Sequence, residues 1–504
     1  MNKWINDCNL HESKGCQIPV NSPLPTRVLD LGDPATLSEV KLLVTNGELG
    51  QYICLSYCWG EDKYGIQTNK DNISSHTKGI PLVKLPRTFR DAIVLTKALG
   101  MRYLWIDALC ILQDDQRDWE VESANMASVY SNSYLTIAAT AGPNPEKGLF
   151  FRRWTKAKDP NSIFEDQRLP IENIDISCDI HPRTFVRPRF SLGHKRFMES
   201  DNAMNHMEDA PLMSRAWAYQ ERLLSARTLH FHAEELIWEC KTSVNCECTW
   251  LDDIKWVLAE RALNTGWLKA SMFSESGTSR ESRAYAWLDA VSEFSMLQIT
   301  ESSDRIPALS GLTKIFSTFS GNVLGDYFAG IWRHDLARGL LFERVNFIGT
   351  EPKQLLAQKG SSNVANIHNP PPSWSWTSIA FDSLGAISFD SVMGNGFLED
   401  SRHFRVIYVE SNPFSQNNPF GWASGGTLKV KGKVVDAILR SSKVSSLNKL
   451  EVQVRRGKYS RATFSADGRN MPNDHAKLLC LLVGHSTKKT PGGSVNARMS
   501  IRAV

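Results

Sequence analysis

The stretch from Tyr103 to Gly142, YLWIDALCILQDDQRDWEVESANMASVYSNSYLTIAATAG, constrains the fold most, because it hands an apolar strand to a helix through a cluster of acids. Between Asp107 and Glu122 stand six carboxylates (Asp107, Asp114, Asp115, Asp118, Glu120 and Glu122) and a single cation, Arg117. The helix that follows sets Trp119, Glu122, Ser123, Met126 and Tyr130 at spacings of three and four, which puts all five on one face. Glu122 therefore points inward with apolar neighbours. An unpartnered polar group there costs about 2–7 kcal/mol, so such a residue is paired, protonated or used.

The flanking sequence repeats the strand and helix alternation. Leu24 to Leu31 (LPTRVLDL) reads as a short strand, and Tyr52 to Tyr57 (YICLSY) as a buried one that stops at Trp59-Gly60. From Pro86, the positions Phe89, Ala92, Ile93, Thr96 and Leu99 keep helical period, with Gly100 suited to the C-terminal cap. A strand at Tyr103 to Asp107, a helix from about Asp115 to Tyr130 and a strand at Tyr134 to Ala139 complete the unit. Such alternation predicts a parallel sheet with right-handed crossovers. Ligands of parallel sheets sit beyond the carboxyl ends of the strands. That rule collects Ser56, Tyr57, Trp59 and Gly60 from one strand end, Asp107, Gln113 and Asp114 from the next, and residues 140–142 from a third.

Further along, Trp217, Gln220, Glu221 and Leu224 mark a short amphipathic helix, and the residues up to Cys240 read as two strands turning near Ala233-Glu234. After a Ser-rich linker (273–282), Ala284, Trp287, Leu288, Val291 and Phe294 define a helix, and Ala308 to Phe319 another. Then come strand-like segments, SWSWTS, FRVIYVE, GTLKVKGKVVDAIL and KLLCLLVG, predicting a separate α+β domain. Residues 486–504 carry Lys488, Lys489, Arg498 and Arg502 unopposed by acids and read as a disordered tail.

Composition narrows the function. In 504 residues, 58 basic against 54 acidic side chains leave a formal charge of +4, so nothing calls for nucleic acid. The longest apolar run, Leu478 to Val483, is far short of the roughly 20 residues that span a bilayer. The polar N-terminus lacks a signal-peptide core, and the expectation is a cytoplasmic protein with no membrane partner. Ten cysteines imply no disulfide framework, and Cys54, Cys110 and Cys480 sit in apolar runs as small buried hydrophobes. Two loose clusters, Cys8, His11 and Cys16, and Cys240, Cys246 and Cys248, lack the paired CxxC spacing of a zinc site, so the sequence calls for no metal and no cofactor.

Three blocks, YICLSYCWGE, LWIDALCILQDDQRDWEVESANMASVYSNSYLTIAA and SRAWAYQERLLSARTLHF, resemble the signature blocks of the fungal heterokaryon incompatibility (HET) domain. LPTRVLDL, DRIPALSGL, DYFAGIWRHDLARGLL and PPSWSWTS extend the resemblance over nearly the whole chain. It implies an α/β fold: a parallel-sheet HET core, distantly TIR-like, with a C-terminal α+β region. The domains expected are residues 1–50 as an N-terminal extension with the first strand, 51–240 as the HET domain, 241–485 as the α+β region and 486–504 as the tail.

The resemblance implies a non-self recognition effector that promotes cell death after fusion of unlike hyphae, and some TIR members hydrolyse NAD. Other family members accompany secondary-metabolism genes, which leaves a second expectation: an enzyme of a biosynthetic pathway using acid/base chemistry on a small molecule. Self-association or an incompatibility partner protein, and a small-molecule ligand, are the partners expected. The family's typical residues fall on Ser56, Tyr57, Trp59, Gly60, Asp107, Cys110, Gln113, Asp114, Glu122, Arg215, Trp217, Gln220 and Glu221.

Of these, Glu122 and Asp107 are the expected catalytic carboxylates, since loss of nicotinamide from NAD develops an oxocarbenium-like ribose that an anion stabilises. Ser56, Tyr57, Trp59, Gly60, Gln113, Asp114, Arg215, Gln220 and Glu221 are the expected ligand-binding residues. The competing readings are that Glu122 pairs with Arg215 or another cation to hold the two blocks together, and that Asp114 or Asp115 caps the neighbouring helix. Asp107, Glu122 and Arg215 are expected in one polar cluster.

Overall fold

The computed structural model describes residues 1–11, 16, 22–32, 38–60, 65–151, 154–158, 166–170, 174–175, 185–186, 210–253, 269, 279–318, 322–346, 371–379, 385–389, 398–399, 404–416, 418–432, 434–441, 450–454, 463–464, 477–489 and 495–503. Most of the irregular stretch 152–211 and the linker 273–278 lie outside them. The chain divides into two compact units, Met1–Ser276 and Gly277–Val504.

In the first unit the elements are α1 (Asn2–Asn9), β1 (Arg27–Asp30), β2 (Glu39–Val44), β3 (Tyr52–Ser56), α2 (Ile73–His76), β4 (Ile80–Pro81), α3 (Arg87–Ala98), β5 (Tyr103–Trp105), α4 (Asp107–Cys110), α5 (Gln116–Asn132) and β6 (Leu135–Ala138). Two small ribbons follow, β7 (Trp154–Lys158) with β8 (Asp166–Pro170) and β9 (Ile174–Asp175) with β10 (Phe185–Val186). Then come α6 (Ala216–Leu224), β11 (Arg227–Phe231), β12 (Leu236–Cys240) and β13 (Val244–Cys246).

Nine of these strands form one sheet in the order β13-β12-β11-β6-β3-β5-β1-β2-β4. The central strands β5, β3, β6 and β11 run parallel, whereas β1, β2 and β4 on one side and β12 and β13 on the other join antiparallel. The parallel sheet expected from the sequence forms the centre of what is a mixed sheet. The reason lies in the connections: β1 to β2 and β11 to β12 are too short to carry a crossover and permit only hairpins. Burial matches position. All five residues of β3 are buried, as befits a strand covered on both faces, while β2 near the edge alternates.

Local sequence explains the helices that frame the centre. Pro86 precedes α3, and Gly100 after it adopts φ +75°, a conformation that side chains disfavour. Asp115 caps α5, its carboxylate accepting from the backbone N–H groups of Arg117 and Asp118.

The second unit contains α7 (Arg280–Ser295), α8 (Pro307–Thr318), the hairpin of β14 (Tyr327–Phe328) and β15 (Ile331–Trp332), α9 (Leu336–Gly339), and the paired β16 (Glu343–Asn346) and β17 (Gly385–Ser388). Its later strands are β18 (Leu398–Glu399), the long hairpin β19 (Phe404–Ser415) and β20 (Asn418–Gly432), then β21 (Val434–Ser441), β22 (Leu450–Val454), β23 (Thr463–Phe464), β24 (Lys477–Lys489) and β25 (Val495–Ala503). Trp287, Trp332 and Trp376 are buried here, and both Trp287 and Trp376 donate their indole N–H to the carbonyl of Gly330, at 3.0 and 2.9 Å.

Two expectations change in this unit. SWSWTS holds a 3-10 turn, Trp376–Ser378, because the Ser375 hydroxyl accepts from the Thr377 N–H and closes the chain locally. Residues 495–503 of the basic tail form a strand paired along β24. The stretch Val495, Ala497, Met499, Ile501 and Ala503 alternates with polar residues, a period-two pattern that charge counting overlooks.

Candidate active site at the carboxyl ends of the central strands

Chain order reverses at β3, which has β5 on one side and β6 on the other. In open α/β sheets this reversal opens a crevice beyond the strand ends. The turn after β3 carries Tyr57, Cys58, Trp59 and Gly60 into that position. Gly60 has φ +82°, and a Cβ there would stand 2.9 Å from the Cβ of Asn144, so a glycine lets the turn lie against the segment after β6. From the end of β5, Asp107 enters α4 half-buried. Its Oδ2 accepts the Trp59 indole N–H at 2.8 Å and its Oδ1 the Ala108 N–H at 2.7 Å.

The third contribution comes from α6. This short helix is buried almost all round, including three consecutive polar residues, Gln220, Glu221 and Arg222. The Ser56 and Tyr130 hydroxyls and the charges of Asp107 and Arg215 all act on the Glu221 carboxyl. Arg215, half-buried and immediately before α6, also acts on Asp107, Tyr57 and Cys58. Ser56, Tyr57, Asp107, Arg215 and Glu221 therefore act on one another electrostatically, with Trp59 bonded to Asp107.

Burial dominates its electrostatics. It pushes the Glu221 carboxyl up to about 7, with the Ser56 hydrogen bond opposing and the Asp107 charge adding to the rise. Asp107 is raised by burial as well, against the Trp59, Ala108 and Tyr57 hydrogen bonds and the positive charge of Arg215. The Tyr57 phenol moves well above its ordinary range, through burial and then the negative charge of Asp107. Glu221, with its carboxyl near 7, can exchange a proton near neutral pH, and either carboxylate can stabilise a cation when ionised.

Other expected site residues stand elsewhere. Gln113 braces the acidic turn, donating from Nε2 to the carbonyls of Asp107 and Ile111 at 3.1 Å each. Asp114 is exposed and accepts the Lys70 N–H at 3.0 Å. Gln220 is buried in α6. Glu122 is buried as its helical face requires, but the face turns toward β1: it lies 3.6 Å from Arg27, which also pairs with Asp118 at 2.5 Å and donates to the carbonyl of Cys110 at 2.6 Å. Its carboxyl is raised by burial, against the Thr26 hydrogen bond and Arg27. Cys110 lies between the two groups and senses both Asp107 and Glu122.

Sequence reasoning gave no role to a buried network behind α6. Arg222 grips Glu239 with two bonds of 2.7 and 2.9 Å, His230 approaches the same carboxylate at 3.3 Å, and the Lys269 N–H donates to it at 3.3 Å. Thr140 bonds His230 Nδ1 at 3.0 Å. The alternation of His230 and Glu239 with apolar residues along two paired strands was the available signal. Two groups of metal-ligand type also lie away from the crevice: Cys8, His11, Cys16 and Cys240, and Glu235, Cys246 and Cys248.

A mixed α/β sheet with polar side chains gathered at its order reversal is a frame shared by many ligand-binding domains. Residues 52–221 match the family model described as Heterokaryon incompatibility protein (HET). No curated protein and no solved structure matches the chain. Among the described residues, no helix is long and apolar enough to cross a membrane.

Proposed function

We propose that the chain is an effector of fungal heterokaryon incompatibility that promotes cell death, and that it acts by hydrolysing NAD in the crevice beyond β3 and β5. The observation that carries this reading is that buried Glu221 feels the charges of Asp107 and Arg215, while Asp107 is bonded to the half-exposed Trp59. In the proposed reaction the bond between C1′ of the ribose and the nicotinamide nitrogen breaks, its electron pair leaving with nicotinamide. Ionised Asp107 faces the developing oxocarbenium ion, water adds its oxygen to C1′, and Glu221 accepts the released proton. ADP-ribose, nicotinamide and a proton are the products. Arg215 suits the pyrophosphate, and such a core would be a distant relative of the TIR fold, a kinship supported by its parallel strands and order reversal.

Self-association or an incompatibility partner would supply the trigger, in the cytoplasm. A second reading, acid/base chemistry on a biosynthetic small molecule, is favoured by the same Glu221, whose carboxyl near 7 suits general catalysis. Expression of the full chain in a fungal host, scoring cell death and nicotinamide release together, separates the two. Death with nicotinamide release, both lost in Asp107→Asn, is the expected result. Death without release by the wild type removes the NAD chemistry; neither death nor release favours the biosynthetic reading.

A further inference from the structure

The N-terminal helix α1 and the turn between β12 and β13 meet through four side chains of one chemical kind. Cys8 lies in the last turn of α1, His11 just beyond it, Cys16 a few residues further, and Cys240 at the end of β12. Their ligand atoms, three Sγ and one imidazole nitrogen, all lie within 4.8 Å of one another, with Cys240 Sγ 3.8 Å from His11 Nδ1. All three cysteines are buried and His11 is half-buried.

The surroundings suit thiolates better than thiols. The Ser243 N–H points at Cys240 Sγ at 3.3 Å, its hydroxyl lies 3.4 Å from the same sulfur, and the Thr242 hydroxyl stands 3.1 Å from Cys16 Sγ. Backbone and hydroxyl donors aimed at sulfur are the outer partners that orient a metal-bound thiolate. Arg227 adds positive charge nearby, donating to the carbonyl of Cys16 at 3.3 Å and to Asn9 Oδ1 at 2.6 Å.

We propose that Cys8, His11, Cys16 and Cys240 bind one zinc ion in a closed tetrahedral site that clips the N-terminal helix to the edge of the nine-stranded sheet. Three sulfurs and one imidazole nitrogen fill the four positions of a structural zinc and leave none open for water, so the ion's role is to hold the fold. Three thiolates, a neutral imidazole and Zn²⁺ sum to a net charge of −1, which Arg227 faces. The neighbouring group of Glu235, Cys246 and Cys248 is a poorer site: it offers three ligands, Cys248 is exposed, and the Glu235 carboxylate already accepts the Cys248 N–H at 3.0 Å.

The test uses the full chain, purified under reducing conditions without chelator. Metal analysis should find about one zinc per chain, and titration of the thiols with a mercurial should release it. Cobalt replacing zinc should show the thiolate charge-transfer absorption of a tetrahedral sulfur-rich site, and X-ray absorption should give zinc–sulfur distances of about 2.3 Å. Cys16→Ala and Cys240→Ala should each lose the metal, His11→Cys should keep it with a fourth sulfur, and Cys248→Ser should leave the stoichiometry unchanged. Wild type that neither carries zinc nor takes up cobalt overturns the proposal, as does a disulfide among Cys8, Cys16 and Cys240, or loss of the metal in Cys248→Ser with retention in Cys16→Ala.

Discussion

Trp59 and Asp107, forty-eight positions apart, are joined by an indole N–H to carboxylate bond of 2.8 Å that ties the turn after β3 to the helix after β5. The bond orients the acid and holds its proton affinity down against burial. Trp59→Phe removes it, and the Asp107 pKa should rise further. The expected outcome is an acidic limb of the pH–rate profile for nicotinamide release displaced to higher pH, with a stability loss of about 1 kcal/mol. An unmoved limb would separate Asp107 from the chemistry.

Glu221→Gln should divide function from stability. The folded carboxyl titrates at about 7 against an ordinary 4.5, so between those values the folded state holds a proton that the unfolded chain has released. The contribution of this group to wild-type stability therefore falls as pH rises through that window, whereas the glutamine has no such charge to bury. The melting temperature of the variant relative to wild type should climb from pH 4.5 to 7, while nicotinamide release drops about 10²–10³-fold. A constant difference across the window would contradict the burial of an ionising Glu221.

The Arg27 cluster should behave as scaffolding. Arg27→Ala leaves Asp118 and buried Glu122 without their cation and should cost about 3–5 kcal/mol in chemical denaturation. Glu122→Gln should cost about 1–2 kcal/mol and leave nicotinamide release unchanged. Abolished release in a folded Glu122→Gln protein would return that residue to the catalytic role.

Two buried groups, His230 and Glu239, each contribute stability that acid removes. Burial lowers His230 to about 4 from an ordinary 6.5, against the pull of Glu239, so on acidification the unfolded chain takes up this proton first and stability falls between about 6.5 and 4. Glu239, held well below 4.5 by Arg222, His230 and Lys269 against burial, contributes stability that is lost only as pH falls below its ordinary range. Between about pH 6.5 and 4.5 the Glu221 contribution runs the other way, so the His230 stage is read as a difference: the urea-midpoint gap between wild type and His230→Gln should change across that window, while the Glu239 stage should show in the wild type below about 4.5.

Removing residues 495–504 should expose the edge of β24 along Cys480 to Lys489. An unpaired strand edge of that length templates association, so size-exclusion chromatography should show higher-order species for the truncated chain. An unchanged monomer or oligomer profile would mean that β25 contributes little to the sheet.

Helical period made α3 and α5 legible, and the short buried runs that follow them marked β5 and β6. The flanks were less so. β2 is short and half-exposed, and no period tells a hairpin from a crossover. The inward face of Glu122 was readable from its spacing, but which cation would meet that face was not, because Arg27 stands in another strand. Glu221 was among the expected ligand-binding residues, while its kinship with Ser56 and Tyr130 depended on α6 docking beside β3. The cysteine groups looked unrelated for the same reason: His11 and Cys240 are 229 positions apart, and only the placement of α1 unites them.

The carbonyl of Gly330 accepts from two tryptophans, and an oxygen has two lone pairs, so its capacity is filled from sequence positions 287 and 376 at once. Gly330 itself has φ +98°, and a Cβ there would stand 2.5 Å from the Trp376 indole nitrogen. The three positions therefore form a lock with one key: a larger residue at 330 would evict an indole, and replacing either indole by phenylalanine would leave the other alone on the oxygen. Substitutions at these sites should be strongly non-additive, and the segment DYFAGIWRHDLARGLL should tolerate change only together with PPSWSWTS.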